Sequence, residues 1–370
     1  MIHREGRRLV DSQGRPVILR GVNLGGCFQW EGWKLGRGYL TKHTTIIDKI
    51  AAAAGPEQAR RFREGMYAAW ITEADIAAIA SFGFNMVRIP LHWDSLEPQV
   101  PVAAWPYLDK MLEWCERHQV WAVLDLHAAP GGQSMWPPTD PGPRAGRLWR
   151  SPEAQDRTVA LWRAIAARYC DREIVAGYDL LNEPWPPSGA VLTAFYARVI
   201  AAIREVDPSH LVIVEGGKFG FDLHHIERVL DENLALSFHM YTWFNDTRRQ
   251  YLKRYVEQAA RQDLPLWCGE FGENSYQMIE STVEMFEDPA VALSGWAFWT
   301  WKRAPAWFPG LQVVAVPPNW GRLINWIGGW FTRKPTAEVA VRGIDEFLDA
   351  VAHANTTLDQ TMLKALRGRR

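Results

Sequence analysis

Two acidic residues stand where apolar runs of the sequence stop. Glu183 closes the stretch YDLLNEPW, beside Asn182 and just ahead of Pro184, and Glu270 closes LPLWCGEF. A carboxylate or amide at the end of a buried segment costs free energy unless partners satisfy it, and a functional site is where such a cost is expected. Other polar residues fall in similar places: Arg88 in FNMVRIP, His127 in VWAVLDLH, His239 and Tyr241 in LALSFHMY, and Trp299 in SGWAFWTW. Singly, each has a structural explanation, such as an arginine in an ion-pair network or a histidine hydrogen-bonded in the core. Their recurrence at the ends of six runs argues for one shared site.

Two carboxyl groups facing each other across a substrate are what hydrolysis of a glycosidic bond needs, one as acid and one as nucleophile or base. The chain has 42 carboxylates, so the choice needs a reason. Glu215 in VEGG also ends an apolar run but has no such partner on that run. Asp94 and Glu97 in HWDSLEP and Glu273 in EFGEN fall a few residues past theirs, where a solvated loop carboxylate is the default.

The elements that must hold these residues are legible as short apolar runs alternating with helical patterns. After a hairpin around DSQGRP, eight runs read as strands: Val17 to Leu24, Phe84 to Pro90, Val120 to His127, Ile174 to Glu183, His210 to Gly216, Leu234 to Tyr241, Leu264 to Phe271 and Ser294 to Trp301. Their hydrophobicity is continuous rather than alternating, which fits a parallel sheet buried on both faces. Between them lie amphipathic segments: ITEADIAAIASFG, with Thr72 and Asp75 as a capping box and Gly83 as a stop, then YLDKMLEWCERHQ and AQDRTVALWRAIAARY. Eight strand-helix units predict an α/β fold, a (β/α)8 TIM barrel, with a doubly wound sheet as the alternative. The expected organisation is a single domain over 1–370, with a core over residues 15–350 and a solvated basic tail over 355–370. Long βα loops are expected over Gly25 to Trp70, Ala128 to Pro152 and Lys302 to Pro335, all opening on the face where a barrel does its chemistry.

Composition narrows the function classes. A formal net charge of -1, with 48% hydrophobic and 22% charged residues, fits a globular domain and argues against nucleic acid or an anionic membrane as the main partner. No run is long enough to span a bilayer as a helix. Without an apolar signal core after Met1, a cytoplasmic location is expected if Met1 is the native start, and secretion if a signal peptide preceded it. Cys27, Cys115, Cys170 and Cys268 are scattered, and neither HxH nor HExxH occurs, so neither a disulfide framework, a metal site nor a cofactor is expected. The unusual number is 20 Trp, many among Gly and Pro, including Trp33, Trp149, Trp307 and Trp320. Core filling explains a single Trp as well as function does, whereas a loop-borne set suits the apolar faces of sugar rings. Trp30, Trp136, Trp185, Trp243 and Trp301 are the candidate subsite aromatics.

In order along the chain, GVNLGG, NMVRIPLHW, LDLHAAPGGQ, LLNEP, SFHMYTW, GEFGE and GWAFWTWK resemble the signature of glycoside hydrolase family 5, the cellulase A family, within the clan A retaining β-glycosidases. The resemblance runs from Gly21 to Trp301. It implies that Glu183 is the acid/base and Glu270 the nucleophile, and that Arg88, His127, Asn182, His239, Tyr241 and Trp299 fill the remaining active-site positions, Trp301 standing close to Trp299. In such a site Arg88 and Tyr241 would stabilise the Glu270 charge, Asn182 would bind a sugar 2-hydroxyl, His127 and His239 would orient their neighbours, and Trp299 would be the sugar platform. The forms GVNLGG and DLHAAPGGQ resemble the β-1,3-glucanase and β-glucosidase side of the family. The expected substrate is thus a carbohydrate, a β-glucoside or short β-glucan cleaved from its end. Endo-β-1,4-glucan, mannan or mannoside and glycolipid glucoside are the alternatives, and a non-catalytic sugar-binding barrel is the alternative of a different class.

Overall fold

The computed structural model describes residues 1–37, 41–97, 102–142, 145–241, 247–272, 275–305, 310–329 and 332–368. Trp243, Trp307 and Glu273 lie outside the described residues. The eight apolar runs form eight parallel strands: β1 (Leu19–Asn23), β2 (Met86–His92), β3 (Trp121–Ala128), β4 (Val175–Asp179), β5 (Leu211–Glu215), β6 (Leu234–Met240), β7 (Leu266–Phe271) and β8 (Gly295–Phe298). They close into a barrel in chain order, β8 pairing back onto β1. Every residue of β2, β6 and β7 is buried, as expected for strands that face side chains inside and helices outside. The expected (β/α)8 barrel is thus the observed fold.

Helices follow most strands, at Glu73–Ser81, Trp105–His118 and Pro152–Tyr169, where the apolar periodicity places them, and at Gly189–Arg204, Arg248–Gln262 and Tyr276–Phe286. At the first of these, the Thr72 backbone N–H and hydroxyl both donate to Asp75 Oδ2 at 2.9 Å, the predicted capping box. The unit after β5 departs from the pattern. Only a short 3-10 turn, Leu223–His225, stands among the described residues between β5 and β6.

The N-terminal hairpin lies across the bottom of the barrel. Leu9 pairs with Val17 and Val10 with Pro16, and Ile2 and Leu9 join Leu19, Met86, Val123, Leu211 and Trp267 in an apolar cluster that fills the floor. Above that floor the interior turns ionic. Asn23, Arg88, Asp125, Asp179, Glu215 and His239 are all fully buried there.

Three expectations need correction. The segment Gly25 to Trp70 is not an open loop, because it carries helices His43–Ala54 and Pro56–Ala69. Together with helices Pro318–Ile327 and Ala337–Ala350 from beyond β8, these build an apolar layer beside the barrel, in which the rings of Phe62, Trp320 and Phe347 stack in a column. The basic tail is not solvated throughout. Thr357–Leu358 pairs with Gln312–Val313, and helix Gln360–Arg367 buries Met362, Leu363, Ala365 and Leu366. Its apolar residues recur at helical spacing, and that face outweighs the terminal charges. Trp30 and Trp301 are fully buried and are not subsite surfaces: Trp30 stacks on His43, and the Trp301 indole N–H donates to Asp75 Oδ1.

Candidate active site

Arg88 is the hub of the barrel mouth. Its position in β2, opposite Asn23 of β1, turns the side chain inward, where it is fully buried. Nε donates to Asp179 Oδ2 at 2.8 Å, and Nη1 to Glu270 Oε1 at 2.7 Å and Asn23 Oδ1 at 3.1 Å. Nη2 donates to Asn182 Oδ1 at 3.0 Å and Glu215 Oε1 at 3.1 Å, with Asp125 Oδ1 also at 3.1 Å. One guanidinium therefore serves four carboxylates, and it cannot neutralise all of them. Burial and the neighbouring negative charge push the pKa values of Asp125 and Asp179 up, against the opposing pull of Arg88.

Glu270 is aimed into this cluster by a bulge. Cys268 pairs with Phe238 and Glu270 with His239, so Gly269 is an extra residue on β7. A Cβ at Gly269 would lie 2.6 Å from Ser237 Oγ, which explains why glycine takes the bulge. Besides its bond from Arg88, Glu270 accepts a hydrogen bond from the Tyr241 hydroxyl at Oε2, 2.9 Å away. Burial pushes its pKa up, but His239 and Arg88 outweigh burial and hold the carboxyl below its ordinary value.

Glu183 sits four residues past β4, with a backbone φ of +47°. That left-handed conformation is strained for a residue with a full side chain. It is held in place by the Glu183 backbone N–H, which donates to Glu215 Oε2 at 2.8 Å. Glu183 Oε1 lies 3.0 Å from His239 Nδ1, and carboxylate oxygens of Glu183 and Glu270 approach within 4.8 Å of each other. Burial, and then the charges of Glu270 and Glu215, raise the Glu183 pKa to about 7 against the opposing effect of His239. Two carboxyls a few ångströms apart thus favour opposite protonation states.

The remaining expected residues fall around this pair. His239 touches both glutamates, its Nδ1 lying 3.7 Å from Glu270 Oε2, so it is closer to the centre than an orienting residue behind it. His127 touches neither. Its Nδ1 is paired with Asp125 Oδ2 at 2.7 Å, and its ring lies parallel to Trp299 with centroids 5.2 Å apart. Burial holds His127 near 3, hence neutral. The Asn182 side chain reaches Arg88 through Oδ1, while its buried Nδ2 has no hydrogen-bond partner.

Trp299 is only 6% exposed, and the ammonium of Lys34 lies 3.8 Å from its ring centroid. Little of the ring is open, so a free platform is not what the structure presents. Lys34 is in turn paired with Glu31 at 2.5 Å, and Glu31 also accepts a hydrogen bond from the Trp33 indole at 2.7 Å. On the other side of the mouth, Trp185 is 39% exposed and packs on Phe219, which also meets Trp136, so the two described candidate aromatics outside the core share one patch.

Sequence reasoning missed several members of the site. Asp125 stands two residues before His127 on one strand, so both point to the same face, and that parity was a usable signal. Glu215 ends an apolar run, but its partners come from β2, β6 and the segment after β4 and share no sequence pattern with it. Asp94 is no solvated loop carboxylate: Arg63, His43 and His92 surround it and hold its pKa far below the ordinary value despite burial. Glu97 is half-buried and pairs with Arg157.

A parallel barrel with paired glutamates at its strand ends defines the class, and comparison with known proteins gives the family. The family model Cellulase (glycosyl hydrolase family 5) matches residues 50–305. A β-xylosidase of Phanerodontia chrysosporium is 31% identical, over 80% of this chain and 70% of the relative. A probable glucan 1,3-β-glucosidase A of Neosartorya fischeri is 28% identical, over 78% of this chain and 84% of the relative. Among solved structures, an endogalactoceramidase superposes with a TM-score of 0.62 at 20% identity, covering 93% of this chain and 84% of its own. The chain belongs to glycoside hydrolase family 5. It is a glycoside hydrolase.

Proposed function

We propose that this enzyme cleaves β-glucosides and short β-glucans from their ends by double displacement, with Glu270 as nucleophile and Glu183 as acid/base. The observation that carries this reading is the pairing of two carboxyls within 4.8 Å whose surroundings drive their protonation apart. Retaining glycosidases hold their carboxyls about 5 to 5.5 Å apart, whereas inverting ones leave about 6.5 to 9.5 Å for a water.

In the first step, a Glu270 oxygen bonds to the anomeric carbon as the glycosidic C–O bond breaks. Glu183 gives its proton to the departing oxygen. The Glu270 charge, whose presence helped raise the Glu183 pKa, is then consumed in the ester, so Glu183, left ionised by that transfer, stays so until it takes a proton from water. That water oxygen bonds to the anomeric carbon, the ester bond breaks, and both carboxyls return to their starting states. The unpartnered Asn182 amide N–H suits a sugar 2-hydroxyl, a contact that strengthens in the transition state.

The choice of substrate rests on the surroundings of the pair. Lys34, delivered by the segment after β1 and paired with Glu31, covers the Trp299 ring, which favours a substrate that ends at that point. Trp185, Phe219 and Trp136 flank the Glu183 side and suit the leaving group. The names of the relatives, a β-xylosidase and a glucan 1,3-β-glucosidase, support β-linked substrates.

The test is a panel of aryl β-glucoside, mannoside and xyloside with laminari-, cello- and manno-oligosaccharides, products being resolved by length and anomer. Release of single β-glucose units with retained configuration is expected, and turnover should collapse in Glu270→Gln. Mid-chain cuts or an inverted product would overturn the reading, and binding without turnover in the parent would favour a sugar-binding barrel.

A further inference from the structure

Glu215 is a fully buried carboxylate at the end of β5, and the double-displacement chemistry above gives it no step. Its two oxygens nevertheless touch three parts of that machinery. Oε2 accepts the Glu183 backbone N–H at 2.8 Å, Oε1 accepts from Arg88 Nη2 at 3.1 Å, and Oε1 also lies 3.1 Å from His239 Nε2, an ion contact off the ideal hydrogen-bond line. The Tyr196 hydroxyl donates to its backbone carbonyl at 3.0 Å. The chain folds over the pair at Gly220, where a Cβ would lie 3.2 Å from Glu215 Oε2.

We propose that Glu215 is a positioning residue that keeps His239 donating from Nδ1 to the inner oxygen of Glu183, and so confines the acid proton of Glu183 to its outer oxygen, Oε2. The proposal rests on the assignment of Glu183 as acid/base. The 3.0 Å approach of His239 Nδ1 to Glu183 Oε1 can be made in two ways. Either the ring donates to a carboxyl whose proton sits on Oε2, or a proton on Oε1 is donated inward to a neutral ring and is lost to the leaving group.

A negative charge at Nε2 selects the first arrangement, because it favours protons on both ring nitrogens. The other groups facing this ring are Glu183 from beyond β4, Glu270 from β7, Arg88 from β2 and Asp125 from β3. Arg88 opposes a charged ring, and the carboxylates support it. Glu215 stands closest to Nε2, and its second oxygen holds the strained Glu183 backbone. One side chain therefore fixes both where the acid sits and which of its oxygens carries the proton.

Glu215→Gln tests this, since it removes the charge while keeping the shape and a carbonyl oxygen. In protein carrying 15N-labelled histidine, with the His239 signals identified by their absence in His239→Asn, the parent ring should stay protonated at both nitrogens from roughly pH 5 to 8. In Glu215→Gln it should lose a proton within that window. On an aryl β-glucoside, kcat/KM should fall at least about tenfold, equivalent to one pKa unit of lost interaction, with an altered pH profile and unchanged thermal unfolding. Glu215→Asp should recover part of the loss. A His239 ring equally protonated in parent and Glu215→Gln, or neutral in both, would overturn the proposal, as would a variant within twofold of the parent. A parent that hydrolyses no β-glycoside would instead defeat the assigned function, and the ring spectra would still decide the role of Glu215.

Discussion

The Tyr241 hydroxyl donates a 2.9 Å hydrogen bond to Glu270 Oε2, on the oxygen that Arg88 leaves free. The bond favours the charged carboxylate, the form that must attack. Hydrogen bonds to charged groups contribute about 1.5 to 3 kcal/mol, so Tyr241→Phe should lower kcat/KM roughly 10- to 150-fold. The acidic limb of the kcat/KM profile should also move to higher pH, because Glu270 loses a group that stabilises its anion. A drop in kcat/KM with an unmoved limb would place Tyr241 in substrate binding instead.

The two glutamates set the shape of the pH profile. Glu183 must begin protonated, and its pKa is raised to about 7, so kcat/KM should decline as pH rises through about 7. Glu270 must begin ionised, and its lowered pKa places the acidic limb below the ordinary glutamate range. Glu183→Gln should spare substrates with good leaving groups in the first step and slow the second, leaving a glycosyl-enzyme that mass spectrometry detects. Activity that is flat from pH 6 to roughly 9 would contradict Glu183 as the acid.

Trp185 offers its exposed ring on the Glu183 side of the mouth, packed on Phe219 with centroids 4.5 Å apart. If this patch holds the leaving group, Trp185→Ala should raise KM for oligosaccharides roughly tenfold, about 1.4 kcal/mol. Hydrolysis of the glycosyl-enzyme should be unaffected, because the leaving group has gone. Single-turnover kinetics separates the two steps.

Asp75 gives a prediction about stability rather than activity. It is fully buried and receives hydrogen bonds from Trp301 at 2.9 Å and Lys302 at 3.1 Å, with His353 Nδ1 at 2.8 Å. Burial pushes its pKa up, but Lys302, His353 and Trp301 together hold it at about 2, below the ordinary 3.8. A depressed carboxyl adds stability above its unfolded value and loses it as pH falls toward about 2, so this contribution should disappear in that window. Asp75→Asn leaves the Lys302 ammonium buried without its counter-charge and should cost about 3 to 5 kcal/mol in urea unfolding at pH 7.

The barrel was legible because each strand is apolar along its whole length and its helices carry their own start signals, as at Thr72 and Asp75. Glu183 and Glu270 were legible because a carboxylate ending an apolar run is locally costly. Glu215 ends a run in the same way but was passed over, since its neighbours Arg88, His239 and the Glu183 backbone meet it only once the strands close. Trp30 and Trp301 misled for a different reason. Placement among glycines marks a residue as loop-borne, but helices His43–Ala54 and Pro56–Ala69 fold over the segment after β1 and put Trp30 indoors. The tail helix is readable in principle, since Met362, Leu363 and Leu366 share one helical face, yet the basic residues around them mask that face in the composition.

The side chains of Ile2, Leu9, Met86 and Trp267 stopper the far end of the barrel. A molecule that enters must leave by the way it came, and so must the water that finishes the reaction. The two halves of the cycle therefore compete for one doorway. An alcohol lingering against Trp185 after the bond is broken would bar that water and could itself capture the sugar, turning breakdown into synthesis.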